Sequence, residues 1–226
     1  MYKVLLTVCI SISLWADFFP KSSITTIIKA TDNEIVLKSP LSHNGMSCAI
    51  IHNYGNNIKA LTFMAKQISK DGSIKLIDSD IIHHNKIPTI NTKPKVGDRI
   101  IGGYLYNNTL LLAPDEQTYK FLTEKYHKNW THPDLYAMFL LQEGEDSITK
   151  KSLKLFAKRY QIGLIMIVRQ KSIVLYDPIS ETIINTQNYT SNSTKAKYPF
   201  YMHFKQINSD WFSKKNRDYY KEVERF

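Results

Sequence analysis

Apolar and polar positions alternate along residues 24–101 with almost no helical period, and turn-forming residues break the pattern at short intervals. Two hairpins are predicted, one joining residues 24–30 to 34–37 around Thr31-Asp32-Asn33, the other joining 59–68 to 73–77 around Lys70-Asp71-Gly72. A further strand over residues 48–52 ends at Tyr54-Gly55-Asn56-Asn57, and residues 99–101 follow the turn Lys95-Val96-Gly97-Asp98. Short strands bury one face each and leave edges to cover, so this stretch is expected to close into a small barrel or sandwich.

The period changes after Gly102-Gly103. Residues 104–112 read as a strand that stops at Pro114, with Asp115 capping a helix to about Lys125 whose Tyr119, Leu122 and Tyr126 share a face. Thr131-His132-Pro133-Asp134 has the Thr-x-x-Asp form of a capping box and places Pro in the first turn of a second helix through the apolar run 135–141. Leu153, Phe156, Ala157 and Tyr160 stand at i, i+3, i+4 and i+7, which gives a third helix capped by Ser147 or Thr149 and ended by Gly163. The unbroken apolar run 164–168 suits a central strand covered on both faces, and 173–176, 182–189 and 200–204 are expected to complete a meander. Residues 190–197 read as a polar loop, and the charged, Tyr-rich stretch beyond Trp211 as a tail with a short helix.

These elements predict an α+β protein: a signal peptide over 1–16, a small β-barrel or sandwich-like module over 17–102, an α/β module of three helices and a strand meander over 103–208, and a tail over 209–226. The signal peptide rests on the charged start Met1-Tyr2-Lys3, the apolar run 4–15 and the small residue Ala16, which predict export with cleavage before Asp17. That run is shorter than the ~20 residues a membrane-spanning helix needs. Cys48 is then the one cysteine kept after cleavage, so no internal disulfide forms, and its apolar surroundings Ala49-Ile50-Ile51 mark it as a buried, inert thiol.

Thirty Lys and Arg against 20 Asp and Glu leave a formal charge of +10. A basic surface favours anionic partners. With export, nucleic acid drops out, and protein carboxylates, anionic envelope lipid or acidic glycan remain. Lys150, Lys151, Lys154 and Lys158 read first as the wet side of a helix.

The chemistry-bearing motifs are few. The eight glycines form no phosphate-cradling loop, and neither a G-x-S-x-G elbow, an H-E-x-x-H pair nor a Cys-x-x-Cys occurs, so no cofactor, metal or catalytic residue is assigned. His83-His84 lacks a third ligand at a useful local spacing. His132 and Asp134, beside Trp130, are the acid and base if the chain is a hydrolase, although capping accounts for Asp134 and packing for Trp130.

Taken together, Lys95-Val96-Gly97-Asp98, Leu110-Leu111-Leu112-Ala113-Pro114 followed by Thr118-Tyr119, Asn129-Trp130-Thr131-His132-Pro133-Asp134-Leu135, and Ile162-Gly163-Leu164 resemble the plasminogen-binding protein N-terminal domain family of Gram-negative bacteria. The resemblance implies a surface or envelope protein, not an enzyme, that recruits host plasminogen. Kringle modules of plasminogen hold a lysine ammonium against acidic side chains while a cation recognises a carboxylate. A carboxy-terminal Lys supplies both charges, whereas this sequence ends Arg225-Phe226. Internal lysines of the tail, Lys214, Lys215 and Lys221, are therefore the candidate partner-binding residues, with Lys221-Glu222 as the adjacent charge pair. A periplasmic or outer-membrane scaffold protein with a basic face is the alternative from a different class.

Overall fold

A computed structural model describes residues 18–77, 92–191, 193, 196–204 and 218–226; the expected signal peptide, His83, His84, Lys214 and Lys215 lie outside them. The first part is a closed, antiparallel, six-stranded barrel, β1-β2-β5-β4-β3-β6, built from β1 (Ser23–Ala30), β2 (Ile35–Leu37), β3 (Ser47–Gly55), β4 (Ile58–Gln67), β5 (Ser73–Ile77) and β6 (Arg99–Gly102). Both predicted hairpins are present, β1 with β2 and β4 with β5. β3 and β4 are joined through Asn56 and Asn57, whose φ values of 46° and 63° suit the mirror-image turn that tight hairpins favour.

The second part is a five-stranded sheet in the order β11-β10-β9-β7-β8. Its strands are β7 (Asn108–Leu112), β8 (Asn129–Thr131), β9 (Leu164–Val168), β10 (Ser172–Asp177) and β11 (Thr182–Asn188). β7 runs parallel to both neighbours, β8 and β9, while β9, β10 and β11 form an antiparallel meander. Helix α1 (Glu116–Lys125) crosses from β7 to β8, α2 (Pro133–Glu143) and α3 (Lys150–Tyr160) lead to β9, and α4 (Tyr219–Val223) lies in the tail.

β9 is central and fully buried, as its apolar run predicts, and its alternation divides two apolar clusters. Leu164, Met166 and Val168 face one cluster, which continues through Tyr106 and Leu111 into the barrel residues Cys48, Ile50 and Ile100. Ile165 and Ile167 face the other, filled by Tyr136, Phe139, Phe156, Tyr219 and Val223 from the helices. The predicted stripe of α3 is therefore core: Leu153, Phe156 and Ala157 are buried and Tyr160 packs beside them.

Four local readings need correction. Residues 104–107 form turns rather than the start of β7, because Tyr106 folds inward and its N–H donates to Gly103 O at 3.1 Å. Residues 200–204 do not extend the meander; Phe200, Tyr201 and Met202 are buried where the chain crosses the end of β7, and Tyr201 N–H donates to Ala113 O at 2.8 Å. Thr131 belongs to β8, so His132 is the cap of α2 and accepts from Asp134 N–H at 3.2 Å. Gln161, in the left-handed region, ends α3; Gly163 instead permits close approach, since a Cβ there would lie 2.2 Å from the carbonyl carbon of Leu105.

Candidate functional site

The candidate lysine that the structure places, Lys221, sits exposed on α4. This short helix is held by its other face. Tyr219 is buried with its hydroxyl 2.7 Å from Val168 O and 2.9 Å from Leu112 O, at the ends of β9 and β7, and Val223 enters the helix-side core. Asp218 caps the helix by accepting from Tyr220 N–H at 2.8 Å. Beyond it, the Phe226 ring packs edge-on against Tyr176, and the Arg169 guanidinium donates to Phe226 O.

This arrangement revises the expected charge pair. Glu222 is buried and bound to Arg225 at 2.9 Å, so its carboxylate does not share the exposed face of α4 with Lys221. Glu224, three residues after Lys221, keeps a half-exposed carboxylate whose Oε2 lies 4.0 Å from Arg169 Nε, and that spacing brings side chains to one side of a helical turn.

A second constellation forms where α2 begins. β8 ends at Thr131, Pro133 fixes the first turn of α2, and Asp134 projects toward the chain returning at His203. Its Oδ1 accepts from His203 N–H at 2.8 Å, and its Oδ2 lies 3.0 Å from His203 Nδ1 and 3.2 Å from His132 Nδ1. The two imidazoles stack with centroids 4.4 Å apart, flanked by Tyr119 and Tyr201. Burial, with the neighbouring His203, holds His132 below the usual imidazole range against the opposing pull of Asp134. Burial also pushes Tyr119 up to about 12.

The sequence picks out His132 and Asp134 but not His203, which arrives from 69 residues away without a local motif. As a hydrolytic pair these residues are poorly disposed. A catalytic histidine presents one ring nitrogen to the carboxylate and the other to a nucleophile. Here Nε2 of His132 is buried with no hydrogen-bond partner among the described residues.

The remaining polar groups of note are structural. Cys48 is buried, and desolvation, then the nearby Asp177 charge, pushes its thiol up to about 12. His52 Nδ1 lies 2.6 Å from Asp98 Oδ1, while Asp98 Oδ2 accepts from Lys95 N–H at 2.8 Å and staples the turn before β6. No helix among the described residues is long and apolar enough to cross a membrane.

No curated protein and no solved structure matches the chain. A family model described as the plasminogen-binding protein pgbA N-terminal region matches residues 22–223, which takes in the barrel, the five-stranded sheet and α4. Its description names a protein partner and no reaction. The chain therefore belongs to the plasminogen-binding protein pgbA N-terminal family.

Proposed function

We propose that this is an exported envelope or surface binding protein that recruits plasminogen through lysine side chains, Lys221 with Lys214 and Lys215. The family match over residues 22–223 carries the reading. The chain's charge of +10 and the exposure of Lys221 on an anchored helix support it. An internal lysine needs a carboxylate from a neighbour, and Glu224, held only by a long 4.0 Å contact with Arg169, is the exposed carboxylate beside Lys221. Holding that pair in a ligand-like geometry costs ordering entropy, so binding is weaker than a terminal lysine would give.

The test is binding of the purified chain to immobilised plasminogen, with a free lysine analogue as competitor and with rising salt. Binding that falls under both conditions, and in a variant carrying Lys214→Ala, Lys215→Ala and Lys221→Ala, supports the reading. Tight binding indifferent to the analogue would remove lysines from the mechanism. Absence of plasminogen binding, with retention on vesicles containing anionic lipid, would favour a scaffold protein with a basic face. Protease treatment of intact cells tests the surface location, which requires accessible protein.

A further inference from the structure

We propose that His132, Asp134 and His203 form a binding site for a divalent transition-metal ion of the zinc class. The three residues come from two distant parts of the chain, yet each places a ligand atom in the same small volume: the candidate atoms lie within 4.8 Å of one another. Imidazole nitrogen and carboxylate oxygen are the donors such ions take. In a tetrahedral site with bonds of about 2.0–2.1 Å, neighbouring ligand atoms stand roughly 3.3 Å apart. The Asp134 Oδ2 separations of 3.2 Å to His132 Nδ1 and 3.0 Å to His203 Nδ1 are already close to that spacing.

Two adjustments are needed: His132 Nδ1 must give up the hydrogen bond it accepts from Asp134 N–H at the start of α2, and the rings must unstack. The rings are stacked with only 9° between their planes, and two parallel rings cannot both aim an in-plane lone pair at a single ion. His203 is the ring that turns, because its side chain is 63% exposed whereas that of His132 is 34% exposed. Its main-chain N–H stays on Asp134 Oδ1, so the ring reorients about a fixed backbone. Three protein ligands then leave a position for water.

The site lacks one usual support. A metal-bound imidazole normally gives its other N–H to an acceptor, and losing such a partner typically weakens binding by about 10–100-fold. Among the described residues Nε2 of His132 has no acceptor, which places this site among the weaker ones. Binding would tie residues 200–204 to the start of α2 and so stabilise the fold by mass action.

Titrating the full chain with Zn2+ by calorimetry, with Co2+ absorption as a report of coordination geometry, tests the site. The expected result is one ion per chain, a Co2+ spectrum of low-coordinate type, and a melting temperature raised by Zn2+. His203→Ala, at an exposed position, should weaken binding by more than about tenfold while leaving the metal-free melting temperature nearly unchanged. His203→Gln, which keeps the main-chain bond to Asp134, should do the same. A variant carrying both His83→Ala and His84→Ala should bind as the parent does. Unchanged affinity in either His203 variant, loss of binding in the His83/His84 variant, or no binding at 100-fold metal excess would each overturn the proposal.

Discussion

The backbone N–H of Ser47 in β3 donates at 2.9 Å to Oδ2 of Asp177 in β10, 130 residues later, and both groups are buried. The same oxygen accepts from the Tyr106 hydroxyl at 2.6 Å, while Oδ1 accepts from Ile179 N–H at 2.9 Å and Ser180 N–H at 3.0 Å. One carboxylate thus joins barrel, sheet and the turn after β10. Asp177→Ala leaves three buried N–H groups without this acceptor, at about 1–3 kcal/mol for each group that finds no substitute. Asp177→Asn keeps the Oδ1 contacts but turns a donor toward Ser47 N–H, so a smaller loss is expected. Chemical denaturation of the two variants checks the order.

The same residue gives a pH dependence. Burial raises the Asp177 pKa, with its four donors opposing, so above the unfolded value of about 3.9 the native state holds its proton more tightly than the unfolded chain. The contribution of this group to stability is therefore complete below that value and is lost as pH rises through the folded pKa. Asp177→Asn should remove this component of the stability-versus-pH slope. An identical slope in the variant would show that Asp177 is not the titrating group.

Phe156 of α3 is fully buried, with Tyr160, Tyr136 and Phe139 rings at 4.7, 4.9 and 5.5 Å. Truncating Phe156 to Ala removes its buried area and leaves a cavity in an aromatic cluster, which costs about 3–5 kcal/mol. A clear fall in melting temperature is expected. Unchanged stability combined with lost partner binding would instead make this stripe a recognition face.

Gly163→Ala and Gly97→Ala separate two ways in which a glycine is required. At Gly163 the new methyl meets the Leu105 carbonyl, with 2.2 Å to its carbon and 2.3 Å to its oxygen, and backbone has little room to yield. At Gly97 no atom of the described residues lies within 4 Å of a new Cβ but φ is +92°, so the conformational penalty of roughly 1–2 kcal/mol is the cost expected. Gly163→Ala should be the more damaging in a thermal melt.

Cys48 should resist alkylation at pH 8 in the native protein and react promptly in denaturant, because its thiol is buried and pushed up to about 12. A Cys9→Ser background isolates its signal. Rapid native labelling would mean that the barrel opens readily around β3.

The strands were legible wherever a local pattern decides them. Asp32-Asn33 and Asp71-Gly72 mark hairpins by turn chemistry alone, and the run Leu164–Val168 announces a strand covered on both faces. Tyr106 misleads because an apolar run reads alike whether it pairs as a strand or turns inward to reach Asp177. Thr131 misleads for a related reason: its strand pairing with Leu110 outweighs a capping motif. His203 was illegible, since its meeting with Asp134 depends on how a long return segment crosses the sheet. Lys221 was legible as a charge, but the burial of Glu222 beside it follows only from the docking of α4.

The barrel interior and the underside of the five-stranded sheet belong to one apolar cluster, running from Ile27 and Ile50 through Cys48 and Tyr106 to Met166. Such an interior offers water no seam at which to enter one half alone, since lifting the barrel away bares the lower surface of β9. Amide protons of β3 and β9 should therefore exchange with solvent through a shared, nearly global opening, whereas those of peripheral α4 exchange through a smaller and more frequent one.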